Sequence, residues 1–311
     1  MMLRSVLIPV DFSEQSRDAV RRGAAFAARF NARLVVLSAV DPLLAEAAKI
    51  RLGQDLANTE TEPALREFVA ATWPAGAGAP ADTTFETRVG EPAAVILEAA
   101  DRGGVDLIVI GTHGLGGVRK WLLGSTTERV LRRTPVPVLA VPPAGPAFAS
   151  ETADGTLEIA RVLAATDFSD ASIAAVEYAA QLANQFAATL TLVHVIEPVM
   201  VPPQWLPLAE ISDEPRVADA RARLERLTAR WRGHREWDAI VSVGRPADVI
   251  DSTARDRRAQ LIVMGLGGDP GAFAPRPGSI AYRVLSATTV PVLVVPASSH
   301  RGADRPGEGT G

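Results

Sequence analysis

Two stretches of the chain lying 156 positions apart are close copies, LIPVDFSEQS from Leu7 and LAATDFSDAS from Leu163. LVVLSAVDP from Leu34 returns at the same displacement as LTLVHVIEP from Leu190. VGEPAAVI from Val89 and VPVL from Val136 return 154 positions on, as VGRPADVI from Val243 and VPVL from Val290. A net loss of two residues reconciles the two registers. A period of this size is a duplicated fold, not a solenoid of short units, because each copy is long enough to bury a core of its own. With 311 residues the chain holds two such cores. The expected boundaries are 1–143 and 159–297, joined by a linker over 144–158 rich in Pro, Gly, Ala and Ser. Residues 298–311 read as a disordered tail.

Within the first copy SVLIPV, RLVVLSA, TTFETRV, DLIVIG and PVLAVP read as strands, and most are continuously apolar. Such runs fit a sheet covered on both faces. Between them SRDAVRRGAAFAARF places Ala19, Val20, Ala24, Phe26 and Ala27 at mostly helical spacing, and PAAVILEAADR opens with proline at a first-turn position. The region from Leu43 to Trp73 reads as helix with a polar surface. Strands alternating with crossover helices give an α/β fold: two repeated doubly wound domains, each a five-stranded parallel sheet flanked by helices. Ligands of such sheets gather at the carboxyl ends of the strands, where the winding reverses.

Both copies carry an unusual loop after the fourth strand. Gly111, Gly114, Gly124 and Ser125 form G-x2-G-x9-G-S, and Gly265, Gly268, Gly278 and Ser279 repeat the spacing. Early glycines let backbone N–H groups face an anion, and Gly124-Ser125-Thr126-Thr127 stands at a helix start, where unpaired amides, the helix dipole and three hydroxyls suit phosphate. Arg119 and Lys120 could add positive charge. Asp11 ends the first strand and could accept hydrogen bonds from a ribose or a base. The G-x4-G-K-[ST] phosphate loop is absent from the sequence.

Charge and composition narrow the partners. A net charge of −4 provides no broad positive field for nucleic acid, and no apolar run reaches membrane-spanning length. The absence of cysteine fits a reducing cytoplasm, as does an N-terminus that runs straight into a strand without a secretory h-region. Four scattered histidines offer little for a zinc site, and no nucleophile–base pair stands out, so no catalytic residue and no dedicated metal ligand is assigned.

The paired DFS strand ends, the GEP and GRP turns, the glycine loops and the VPVL strands together resemble the universal stress protein family in its tandem two-domain form, over nearly all of the chain except linker and tail. The resemblance implies an adenine nucleotide alpha hydrolase-like fold and, with this glycine pattern, binding of ATP or AMP. It places adenine and ribose near Pro9, Val10, Asp11 and Ala39, and phosphates on Gly111, His113, Gly114, Gly124, Ser125, Thr126 and Thr127. Mg²⁺ is a candidate companion of the phosphates, beside Asp11. The matching positions of the second copy are Thr166, Asp167, Val195, Gly265, Gly268, Gly278 and Ser279. The VPVL strands correspond to those that mediate dimer contacts in the family, which implies pairing between the two copies and leaves homodimerisation open.

The copies are not equivalent. The first keeps LLGSTTERVL, whereas the second reads PRPGSIAYRVL, in which prolines remove amide donors and Ile280 and Ala281 replace both threonines. Phe273 and Ala274 replace Arg119 and Lys120, with Arg276 a partial substitute. The first site is therefore expected to bind nucleotide better. Simpler readings stand beside these. Asp11 and Asp167 could merely cap the following helices, the glycines could merely close turns, His194 reads as a satisfied core or strand-end residue, and His113 as a hydrogen-bonding loop residue. The function expected first is a nucleotide-binding stress regulator acting through conformation or partners. A slow ATPase or adenylyl-transfer enzyme and a nucleotide-free interaction scaffold are the alternatives.

Overall fold

A computed structural model describes residues 3–52, 55, 57–73, 82–112, 123–143, 150–151, 157–198, 213–229, 237–267 and 279–297. The first copy runs β1 (Ser5–Val10), α1 (Glu14–Phe30), β2 (Arg33–Val40), α2 (Pro42–Leu52), α3 (Glu62–Thr72), β3 (Thr83–Val89), α4 (Pro92–Arg102), β4 (Leu107–Gly111), α5 (Ser125–Arg133) and β5 (Val138–Val141). A two-residue ladder, β6 (Ser150–Glu151) with β7 (Leu157–Glu158), lies in the segment expected as linker, and Leu157 is buried in the core. The second copy follows as β8 (Arg161–Ala165), α6 (Asp170–Phe186), β9 (Thr189–Ile196), α7 (Glu214–Ala229), β10 (Trp237–Val243), α8 (Pro246–Asp256), β11 (Leu261–Leu266), α9 (Ser279–Ala287) and β12 (Val292–Pro296).

All ten longer strands form one sheet in the order β10-β9-β8-β11-β12-β5-β4-β1-β2-β3. Pairing is parallel within each copy. It turns antiparallel only where the copies meet, Leu139 opposite Leu293 and Val138 opposite Val294. The two VPVL strands thus supply each other's missing neighbour, removing two apolar edges that would otherwise invite association. Strands β1, β4, β5, β8, β11 and β12 are almost wholly buried, whereas the outermost β3 and β10 are only partly so, which is why TTFETRV is the least apolar strand of its copy.

One apolar layer lies between the sheet and α1, α3, α6 and α7, and a second lies on the opposite face with α4, α5, α8 and α9. Each layer is continuous across both copies. At the junction Phe26, Phe30 and Phe186 pack ring to ring, and Arg29 donates from Nη2 to the Gln185 carbonyl at 2.6 Å. The expectation of a polar surface over 43–73 fails at α2, where Leu43, Leu44 and Ile50 are 77%, 59% and 76% exposed. Helix α2 has almost no amphipathic periodicity, so its sequence does not select a buried face. Among the described residues, no helix is long and apolar enough to cross a membrane. The tail at 298–311 lies outside the described residues.

Candidate functional site

The strand order β3-β2-β1-β4-β5 reverses between β1 and β4, so their carboxyl ends form the crevice where a doubly wound sheet receives ligands. Val10 pairs with Ser38, and the β1–β4 register, Leu7 opposite Ile108, sets Val10 level with Gly111 when continued by three residues. Pro9, Val10, Asp11, Ala39 and Gly111 are thereby brought together. Val10 is buried, Pro9, Ala39 and Gly111 half-buried, and Asp11 exposed.

Directly after Asp11, Phe12 takes φ 64, and Phe168 takes the same value in the second copy. A bulky side chain in the left-handed region costs about 1–2 kcal/mol. The kink is held by a hydrogen-bond cluster around the aspartate. Asp11 Oδ1 accepts from Ser13 N at 3.1 Å, Ser13 Oγ at 2.5 Å and Ser16 Oγ at 2.5 Å. Ser13 Oγ in turn accepts from Ser16 N at 3.2 Å, so the helix N-cap is Ser13. Asp11 supports that cap from outside the helix.

On the other strand the backbone leaves after Thr112 and returns at Gly124, whose N–H donates to the Thr112 carbonyl at 2.7 Å. This bond closes the base of the glycine loop. Buried Thr127 donates its hydroxyl to the Gly111 carbonyl at 2.8 Å, pinning α5 to the end of β4. The first intrahelical bond of α5 runs from Glu128 N to the Gly124 carbonyl, so the amides of Ser125, Thr126 and Thr127 have no acceptor within the helix. Gly124 supplies no side-chain cap. Helices α1, α4 and α6 are capped by Ser13, Glu91 and Ser169, whereas α3 and α8, like α5, have no side-chain cap. Three amides without a helical acceptor and the positive end of the helix dipole therefore stand beside the carboxyl end of β4, an arrangement that suits an oxyanion. His113, Gly114, Arg119 and Lys120 lie outside the described residues.

The second copy repeats the frame with different chemistry. Asp167 Oδ1 accepts from Ser169 N at 3.0 Å and Ser169 Oγ at 2.5 Å. Burial alone would raise the Asp167 carboxyl, but hydrogen bonds from Ser169, Ser172 and its own amide outweigh it and hold the group below the ordinary aspartate value. Thr166, where the first copy has Val10, shares a 3.0 Å hydrogen bond with Ser172 and receives Phe168 N at 3.0 Å. His194 stands beside it, Nδ1 2.8 Å from the Thr166 carbonyl and its ring 4.5 Å from Phe168, whose ring also carries the Arg223 guanidinium at 4.1 Å. Burial lowers the imidazole's pKa most, Arg223 and Arg216 lower it further, and the Thr166 carbonyl and Asp167 oppose them. His194 is thus a satisfied strand-end residue. Val195 is half-buried.

Gly265 has a packing reason that sequence spacing does not reveal. A Cβ there would meet the Ala171 carbonyl carbon and oxygen at 2.6 Å and Ser172 N at 2.7 Å. Strand β11 and the start of α6 therefore touch backbone to backbone. Ser279 begins α9, Ala281 is buried, and Gly268 and Gly278 lie outside the described residues. Among the described residues, no group of three or more His, Asp or Glu could hold a metal. Since Asp11 Oδ1 already accepts three hydrogen bonds, a Mg²⁺ accompanying phosphates would draw its ligands mainly from them and from water.

The fold defines a tandem doubly wound α/β protein with one strand-end crevice per copy. The sequence profile of the universal stress protein family matches residues 2–142 and again 158–296, and the chain belongs to that family. A universal stress protein of Mycolicibacterium smegmatis is 28% identical over 299 residues, 93% of this chain and 96% of that protein. A single-copy relative from Thermus aquaticus is 34% identical over 148 residues, 45% of this chain and 99% of its own length. The crystal structure of a universal stress protein from Archaeoglobus fulgidus, 22% identical, covers 96% of this chain with a TM-score of 0.63 and shares the fold.

Proposed function

We propose that the protein is an adenine-nucleotide-binding stress regulator whose first copy is the better ATP or AMP site. The observation that carries this reading is the start of α5, which has no side-chain cap and three amides without an acceptor in the helix, across the β1/β4 crevice from Asp11. The G-x2-G-x9-G-S spacing, which accompanies nucleotide binding in the family, supports the same assignment. Adenine and ribose would lie along Pro9, Val10, Asp11 and Ala39, with phosphates at Gly111, Gly124, Ser125, Thr126 and the loop residues His113 and Gly114. Thr127 contributes its amide, because its hydroxyl hydrogen is directed at Gly111.

The second copy, through Thr166, Asp167, Val195, Gly265, Gly268, Gly278 and Ser279, binds more weakly, since Ile280 and Ala281 replace two hydroxyls and Pro275 and Pro277 carry no N–H. The protein acts through nucleotide-dependent conformation or partner binding, in the cytoplasm, rather than through rapid turnover. Mass spectrometry of small molecules released from freshly purified protein tests the reading. Recovery of ATP or AMP is expected. Absence of nucleotide there and in a subsequent titration would overturn it in favour of a scaffold.

A further inference from the structure

The opposite end of the second copy holds a groove of about 670 Å³. It is formed where Arg161 begins β8, Thr189 begins β9 and Trp237 begins β10, and the end of α8 at Asp256 with the following Arg257 and Arg258 closes it. We propose that this groove is a separate site for a small molecule bearing a carboxylate or phosphate group, distinct from the nucleotide crevice.

The Arg161 guanidinium is held in place before any ligand arrives. Its backbone N–H donates to Gln260 Oε1 at 3.2 Å, its carbonyl accepts from Gln260 N at 2.9 Å, and its Nε donates to the Arg258 carbonyl at 2.8 Å. Among the described residues no hydrogen bond engages the two terminal nitrogens of the fork, which are available to an oxyanion with little side-chain entropy still to lose. Among the lining residues Arg257 pairs with Asp238 at 2.5 Å, and Arg161 and Arg258 stand against Asp256, so the lining carries a net charge of +1.

Arg258 also occupies a backbone position that disfavours it, at φ 49, where the first copy has Gly104 at φ 59. Glycine meets that geometry without strain. Favourable interaction with the α8 dipole does not require Arg258, because Arg255 and Arg257 already lie at the end of that helix. The first copy keeps the backbone clasp, Asp106 Oδ2 accepting from Arg4 N and Ser5 N, but has Ser5, Gly103 and Gly104 in place of Arg161, Arg257 and Arg258. The clasp is structural and common to both copies, and only the second copy carries the arginines.

Amide-resolved NMR titrations of the full chain with citrate and with inorganic phosphate, at constant ionic strength, test the site. Saturable shifts are expected at Arg161, Thr189, Trp237 and Arg258 with at least one probe, and the stronger probe identifies the ligand's anionic group. Amides of Gly111 and Thr126 report the nucleotide crevice separately. Arg258→Gly is expected to weaken binding at least tenfold with Tm unchanged or raised. Absence of saturable shifts with both probes, unchanged affinity in Arg258→Gly, or a lowered Tm in that variant would overturn the proposal.

Discussion

Replacing Asp11 separates its structural role from its proposed ligand role, provided two substitutions are compared. Asp11→Ala removes the acceptor for the Ser13 and Ser16 hydroxyls, on residues only 5% and 6% exposed. Hydrogen bonds to a charged group contribute about 1.5–3 kcal/mol each. The two hydroxyls lie 3.4 Å apart and can partly satisfy one another, so the loss falls short of the sum, at about 2–4 kcal/mol. At roughly 2–4 °C per kcal/mol, Tm should fall by on the order of 10 °C. Asp11→Asn keeps an oxygen at Oδ1 and should cost about 1 kcal/mol. Isothermal titration of the Asn variant with ATP therefore reads the ligand role on a folded protein. A loss of affinity of about tenfold or more, roughly 1.4 kcal/mol, is expected. Wild-type affinity in Asp11→Asn would refute the reasoning and leave Asp11 as the support of a helix cap.

Other consequences can be checked by urea denaturation. Gly265→Ala drives a methyl group into the α6 backbone and should cost about 1–3 kcal/mol, which a urea midpoint equal to wild type would contradict. The folded Asp167 carboxyl titrates below its unfolded value, so it adds stability above about pH 4 that is lost as pH falls through the lower folded value. The gap between wild type and Asp167→Asn should accordingly close as pH falls below about 4. His194 is likewise depressed, so its contribution is full above about pH 6.5 and is lost on acidification. His194→Gln should remove that part of the wild-type decline as pH falls below about 6.5.

The duplication made most of the fold legible, because each strand and turn is written twice and the copies corroborate one another. LVVLSAV and LIVIG are apolar throughout and lie in the sheet interior, while TTFETRV carries polar residues because it forms the sheet's edge. The VPVL seam was legible through the family resemblance, which implied pairing between the two copies, and the strands do pair antiparallel. Helix α2 was not, since its apolar residues follow no 3.6-residue period and composition alone suggested a polar face. At the site, sequence spacing found Asp11 and the start of α5, but it did not show how they are built. The Ser16 hydroxyl reaches Asp11 across five residues, and Phe12 takes a left-handed conformation that its identity disfavours. The pressure of Ala171 on Gly265 is a contact between distant segments, and local spacing carries no signal for it.

The inequality of the two crevices is the central claim, and native mass spectrometry of the intact chain titrated with ATP tests it most directly. The account predicts that one nucleotide per chain binds first, that Asp11→Asn removes this tighter event, and that Asp167→Asn leaves it in place. Two equivalent binding events, or a first event lost in Asp167→Asn and kept in Asp11→Asn, would contradict it.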